Sequence, residues 1–352
     1  MRPEPRSAPR RVMPWGEIPR GSFPGDGLAV IDKDPGVTSH DVVGAVRRLA
    51  GTKKVGHAGT LDPMATGVLC IGLGRATKLL RYVTGTAKEY EATIRFGIET
   101  STEDAQGELV RARGAREADA AELARAMANL TGDVLQVPSS VSALKVEGRR
   151  AYDLVREGRE VVLDARPIRV DVFEAVGGPR FAEACGAPVF DVDVRVVCGA
   201  GTYVRALARD LGEALGFGAH LTSLRRTRVG PWDVGEAMRV RECADAVEAG
   251  GQMPVRTLAD LCRAMFPALE VGAEAARDLR MGRFVSADSA SDVVGVKAAG
   301  ATGGGAPVSG PDGRCSGSAV AVAWSGETPV ALVSRRGGRV KPDLLLTPAS
   351  EE

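Results

Sequence analysis

Residues 55–74 constrain this chain more than any other stretch. An apolar run is broken there by Gly56, Gly59, Pro63, Gly67, Gly72 and Gly74, and one carboxylate, Asp62, stands in their midst. Glycine at this density lets backbone lie close to something and take up turns closed to other residues. Asp62 precedes a proline, which pushes its own backbone towards extended or turn conformations. A planar ligand could reach such a loop without meeting side chains. An aspartate in a loop also commonly just caps a turn, and spacing by itself favours that plainer reading.

On either side of this tract the periodicity switches between strand and helix. Residues 27–32 (GLAVID) read as a short buried strand. Thr38 or Ser39 then caps a helix whose Val42, Val43, Val46 and Leu49 recur at helical spacing. Residues 76–83 predict a short helix, and 89–96 a strand alternating through Tyr90, Ala92, Ile94 and Phe96. Helical spacing returns in 117–130 and 202–215, and strand alternation in 189–197. A helix over 258–265 opens a second unit, which ends in strands at 319–324 and 329–333. Between them, 300–318 is Gly/Ser/Pro-rich and reads as a loop or linker. The expected fold is α+β: a mixed, largely antiparallel sheet flanked by helices, with a cleft holding Asp62 and a small β-rich C-terminal domain. The expected divisions are a flexible, mildly basic leader over 1–26, a main domain over 27–250 and a smaller one over 255–352. The polar, basic stretch 138–166 is an excursion from the core of the main domain.

Charge and cysteine usage narrow the functional classes. Net charge over the 352 residues is only +1, so any nucleic-acid surface must be local. Residues 40–98 do carry nine Lys or Arg against four Asp or Glu. The six cysteines are scattered without C-x-x-C spacing and there are three histidines, so no zinc site is expected and the thiols read as reduced and cytosolic. The N-terminal arginines lack the apolar segment of a signal peptide. No apolar run reaches the roughly 18 residues a membrane span needs. A cytoplasmic protein is therefore expected.

The segment Gly56-His57-Ala58-Gly59-Thr60-Leu61-Asp62-Pro63-Met64-Ala65-Thr66-Gly67 closely resembles the G-H-x-G-x-L-D-P-x-A-T-G signature of the TruB family, the bacterial tRNA pseudouridine-55 synthases. Further motifs keep the family's order from about residue 27 to 230. They are Ile31 to Ser39, Lys88-Glu89-Tyr90, Val137 to Lys145, Ala165 to Ile168, Gly201-Thr202-Tyr203-Val204-Arg205, Gly218 to Leu221 and Leu224-Arg225-Arg226. One departure is Asp34, which separates Lys33 from Pro35 where the family usually has Lys-Pro, and is expected to loosen Lys33 slightly.

The resemblance implies the pseudouridine-synthase fold, with a PUA-like module at the C-terminus. It implies isomerisation of a uridine in the T-arm of tRNA, without metal or nucleotide cofactor. Asp62 would be the catalytic carboxylate, able to attack as nucleophile or to stabilise charge at the sugar. Arg205 would orient it through paired hydrogen bonds, where a surface arginine on an amphipathic helix is the ordinary alternative. Tyr90 would stack on the extruded uracil, Tyr203 would pack the pocket, and Leu224 would line it; each could equally be core. Lys33 would support the Asp62 loop or approach phosphate. His57 would fill the space the flipped base leaves, and His220 is structural. Lys145, Arg149 and Arg150, within the excursion, would grip RNA. The expected partner is tRNA, through its T-arm, bound by a monomer with no protein partner. Flipping a nucleotide costs a few kcal/mol that pocket contacts must offset, and recognition would rest on the shape of the folded arm.

Other classes remain open at this point. A non-catalytic RNA-binding or RNA-folding protein would suit the C-terminal unit. A nucleotide enzyme could use Gly72-Leu73-Gly74-Arg75-Ala76-Thr77-Lys78, although the P-loop spacing is missing. A uridine methyltransferase would need Cys70 or Cys198 as nucleophile.

Overall fold

The computed structural model describes residues 12–115, 119–139, 145–146, 149–150, 163–286, 290–292 and 320–347. The larger sheet is built from β1 (Gly27–Lys33), β2 (Val55–Ala58), β3 (Thr66–Leu73), β4 (Lys88–Phe96), a short hairpin of β5 (Ile98–Thr100) and β6 (Leu109–Ala112) set beside it, and β7 (Gly132–Gln136). After a second small hairpin, β8 (Lys145–Val146) and β9 (Arg149–Arg150), it continues with β10 (Arg166–Ala175), β11 (Arg180–Ala184), β12 (Ala187–Cys198), β13 (Ala219–Val229), β14 (Trp232–Asp233) and β15 (Arg256–Thr257). Its main order is β15-β1-β3-β13-β4-β12-β10-β7, antiparallel except where β13 runs parallel to β3. The expected mixed, largely antiparallel sheet is therefore present.

Strand β3 is buried on both faces, which explains its unbroken apolar run. Successive side chains point to opposite faces. Leu69 and Ile71 accordingly join the main core, while Val68 and Cys70 join a second cluster behind the sheet. In β1 the same alternation sends Ala29 and Ile31 one way and Leu28 and Val30 the other. In β4, Tyr90, Ala92, Ile94 and Phe96 are buried, and the opposite face carries charge. There Arg95 makes a two-pronged ion pair with its cross-strand neighbour Asp191.

Among the described residues, α1 (Ser39–Ala50), α3 (Ala120–Asn129), α4 (Val204–Ala214) and α5 (Val240–Glu248) flank the main core, and the shorter α2 (Leu80–Gly85) packs in the second cluster. Thr38, not Ser39, is the cap of α1, in a reciprocal box with Asp41. Residues 55–74 are less of a loop than their glycines imply, because two strands enclose a short turn. Gly72 has its own packing reason, since a Cβ there would stand 2.9 Å from Leu80.

Residues 12–26 are not a free leader. Trp15 is buried, Met13, Ile18 and Phe23 pack on the core, and the Gly21 and Phe23 N–H groups donate to Arg48 O and Ala50 O at the end of α1. These four apolar residues give an otherwise Pro- and Arg-rich segment something to bury. Residues 1–11 and most of 138–166 lie outside the described residues.

Helix α6 (Leu258–Met265) follows β15 and packs on β1. It leads into the smaller sheet: β16 (Ala268–Val271), β17 (Val285–Ser286), β18 (Ala290–Asp292), β19 (Val320–Ser325), β20 (Thr328–Arg336) and β21 (Arg339–Leu345), with α7 (Ala273–Arg280) against it. Leu261, Phe266, Trp324 and Leu332 share one apolar cluster with Leu28, Val30 and Val68 of the large sheet. Among the described residues no helix is long and apolar enough to cross a membrane.

Candidate active site

The turn between β2 and β3 presents Asp62 and is held from several sides. Ser39, the first residue of α1, accepts from the Leu61 N–H at 2.9 Å and donates to the Leu61 carbonyl at 3.1 Å. The Gly36 N–H donates to the Pro63 carbonyl at 2.7 Å. Lys33 Nζ reaches the carbonyls of Val37 at 2.8 Å, Asp34 at 3.0 Å and Pro63 at 3.3 Å. Gly59 and Gly67 bracket the turn with φ of 86° and 97°, the left-handed region that glycine tolerates. Leu61 and Ala65 point into the core, while the Asp62 side chain keeps 37% of its surface exposed. The result is a braced loop whose carboxylate faces out.

Arg205, in the first turn of α4, meets this carboxylate: its Nε donates to Asp62 Oδ2 at 2.8 Å. The guanidinium is itself buried, with 4% of its side chain exposed. Its Nη1 donates to the Thr102 carbonyl at 2.7 Å and to Ser139 Oγ at 2.9 Å, and Asp104 Oδ2 lies 3.8 Å from Nε. Asp104 is buried too, held by the Thr102 hydroxyl and the Gln106 N–H. A buried arginine fixed in this way orients the exposed acid instead of trading it for solvent.

The structure brings Asp62, Arg205, Lys33 and Tyr90 into one neighbourhood. Lys33 is fully buried, so it props the loop and does not reach phosphate; the Asp34 insertion has not loosened it. Burial pushes the Lys33 ammonium down to about 8, against the upward pull of Asp62 and Asp34. Tyr90 is buried in β4, and burial raises its hydroxyl, with the Arg226 guanidinium opposing. Leu224 is buried in β13 beside Ala92 of β4. Tyr203 is half-buried at the start of α4, its N–H donating to Gln136 Oε1 at 2.9 Å and its carbonyl accepting from Gln136 Nε2 at 3.1 Å.

His57 sits half-buried on β2, edge-on to His40 with ring centres 5.6 Å apart. Burial, then the charges of His40 and Arg226, hold its imidazole below the ordinary range against an upward pull from the Gly59 main chain, and among the described residues its buried Nδ1 has no side-chain or main-chain partner at hydrogen-bond geometry. His220 is buried, its Nδ1 2.9 Å from the Ile98 carbonyl, consistent with a structural place. Lys145, Arg149 and Arg150 lie on the β8–β9 hairpin, but their side chains are outside the described residues.

Sequence reasoning missed Ser39, Asp104, Gln136 and Arg226. Ser139 and Arg226 stood inside quoted motifs without a role, and Asp104 stood in no motif. The two candidate cysteines are buried, and burial pushes the Cys70 thiol up to about 12 and the Cys198 thiol up to about 11. Among the described residues no group of three His, Cys, Asp or Glu side chains could hold a metal ion. A cleft of ≈ 830 Å³ runs between α3 and β10, and none of the residues around Asp62 lines it.

Similarity to known proteins gives the family. The model described as "TruB family pseudouridylate synthase (N terminal domain)" matches residues 47–204, and "tRNA pseudouridylate synthase B C-terminal domain" matches 205–268. The chain is 46% identical over 326 residues to the "tRNA pseudouridine synthase B" of Arthrobacter sp. (strain FB24), covering 93% of this chain and 98% of that one. It is 51% identical over 270 residues to the protein of the same name from Mycobacterium leprae (strain TN), covering 77% and 83%. Among solved structures, an H/ACA RNP bound to a substrate RNA containing 2′-deoxyuridine aligns with a TM-score of 0.64 at 21% identity, over 92% of this chain and 86% of that one. A Cbf5-Nop10-Gar1 complex aligns equally well at 22% identity, over 92% and 85%. The fold is that of the pseudouridine synthases. The chain belongs to the TruB family of pseudouridylate synthases.

Proposed function

We propose that this chain is a tRNA pseudouridine synthase that isomerises uridine 55 in the T-loop, with Asp62 as the catalytic carboxylate. The observation that carries the reading is the outward-facing Asp62 carboxylate, held at 2.8 Å by a buried Arg205 on a braced loop. The target uridine is folded inside the T-loop and must be extruded to reach it. The N1–C1′ bond then breaks, the uracil turns, and C5 bonds to C1′, while the proton on C5 is lost and N1 gains one. Atoms balance without a co-substrate. Asp62 serves at the ribose or the base, as nucleophile, as charge stabiliser or as the base that takes a sugar proton. Tyr90 offers a ring face to the uracil, Leu224 and Tyr203 close the pocket, and His57 occupies the space left in the loop. Lys145, Arg149 and Arg150 grip the RNA, and the C-terminal sheet is a PUA-like module that adds contacts. The protein works as a monomer in the cytoplasm.

The test is incubation of the protein with unmodified tRNA transcript, followed by chemical mapping of pseudouridine. Conversion confined to position 55 is the expected result. A protein that binds the transcript and converts no uridine would instead be an RNA-binding or RNA-folding factor.

A further inference from the structure

Arg226 is among the largest fully buried side chains of the molecule, with 1% of its surface exposed. Buried charges are ordinarily paired with an opposite charge. Among the described residues no carboxylate stands within ion-pair distance of this guanidinium. Its partners are main-chain carbonyls instead. Nε donates to Val68 O at 2.7 Å and Nη2 to Gly59 O at 3.1 Å. Those carbonyls lie on opposite sides of the turn that carries Asp62, one three residues before it and one six residues after.

Two further contacts tie Arg226 to the same place. Along β13 it is the cross-strand partner of Gly67 on β3 and of Tyr90 on β4. A Cβ on Gly67 would stand 2.1 Å from the Arg226 carbonyl, so loop and strand interlock at that point. The guanidinium charge also acts on the buried Tyr90 hydroxyl, opposing the rise that burial gives it.

A carboxylate could have neutralised the buried charge, but it would have drawn the guanidinium to itself. Carbonyls on the two sides of the turn leave the planar fork free to act as a brace, which a lysine point charge cannot do. We infer that Arg226 is a positioning residue: from beneath the turn it fixes the loop on both sides of Asp62 and sets the Tyr90 ring against it. Carboxylate and ring thereby keep one spacing while the nucleotide swings in. This rests on the proposed reaction. It adds a residue that touches no substrate and acts through two that do.

The test uses full-length protein and unmodified tRNA. Arg226→Lys keeps the charge and loses the fork, and Arg226→Gln keeps a planar donor that reaches one carbonyl. Both are expected to lower the single-turnover rate by at least about thirty-fold while tRNA Kd stays within about two-fold, because the interaction matters after binding. Tyr90→Phe removes the hydroxyl on which the guanidinium charge acts. Combined with Arg226→Lys it should lose less than the product of the two single losses, as residues acting through one contact do. A folded Arg226 variant with a rate within about three-fold of wild type would overturn the inference, as would affinity falling in step with rate. Fully multiplicative losses in the double variant would overturn it too. If neither Arg226 variant folds, Tyr90→Phe decides: a slower rate at unchanged Kd supports the brace and an unchanged rate refutes it. Wild-type protein that makes no pseudouridine would instead refute the reaction itself.

Discussion

Lys33 places an ammonium group on a fully buried side chain. Three carbonyls take its three N–H groups, and one of them belongs to Pro63, next to Asp62. With its ammonium pushed down to about 8, this brace weakens within the working pH range. The neutral amine has two N–H groups for three carbonyls. The single-turnover rate of pseudouridine formation should therefore fall as pH rises through about 8. Stability moves the other way. The folded pKa lies below the unfolded one, so between about pH 8 and 10.4 the unfolded chain holds the proton more tightly, and the contribution of this group to stability rises with pH. Lys88, buried and also pushed down to about 8, has the same sign. Rates and thermal midpoints measured together from pH 6 to 10 should diverge, and a flat rate to pH 10 would remove Lys33 from the loop's support.

The β2-turn-β3 unit shows which parts of the site can be read along the chain. Asp62, Gly59 and Gly67 stand close together in sequence, and the turn they form needs glycine where φ is positive. Arg205 was legible from its Gly-Thr-Tyr-x-Arg setting at a helix start. Ser39, Gln136 and Arg226 were not, because what they do is set by contacts 22, 67 and 158 residues away. The β13 strand also escaped the pattern, since His220 and Arg226 are buried where alternation calls for apolar side chains. Gly67→Ala tests the unit directly. It must hold an alanine at φ 97° with its Cβ 2.1 Å from the Arg226 carbonyl. A stability loss of more than about 2 kcal/mol by denaturant unfolding is expected. An unchanged midpoint would show the turn to be softer than described.

Across the whole molecule, the two sheets are joined through side chains. Trp324 and Leu332 of the smaller sheet pack in one cluster with Leu28, Val30 and Val68, whose strands lead directly to Lys33 and to the end of the Asp62 turn. The smaller sheet thus shields the back of the site. Trp324→Ala should cost about 3–5 kcal/mol and lower a single unfolding transition; two separate transitions, only one of them shifted, would show the sheets to be independent. The molecule as a whole is read as a scaffold that holds one carboxyl group outward, on a buried arginine, for an extruded nucleotide. Asp62→Asn tests this with the least disturbance, because the amide keeps the shape and an oxygen for Arg205. Single-turnover conversion of bound tRNA is the quantity to measure. The predicted result is a loss of at least about a thousand-fold with tRNA still bound; pseudouridine formed at a rate near that of wild type would contradict the account.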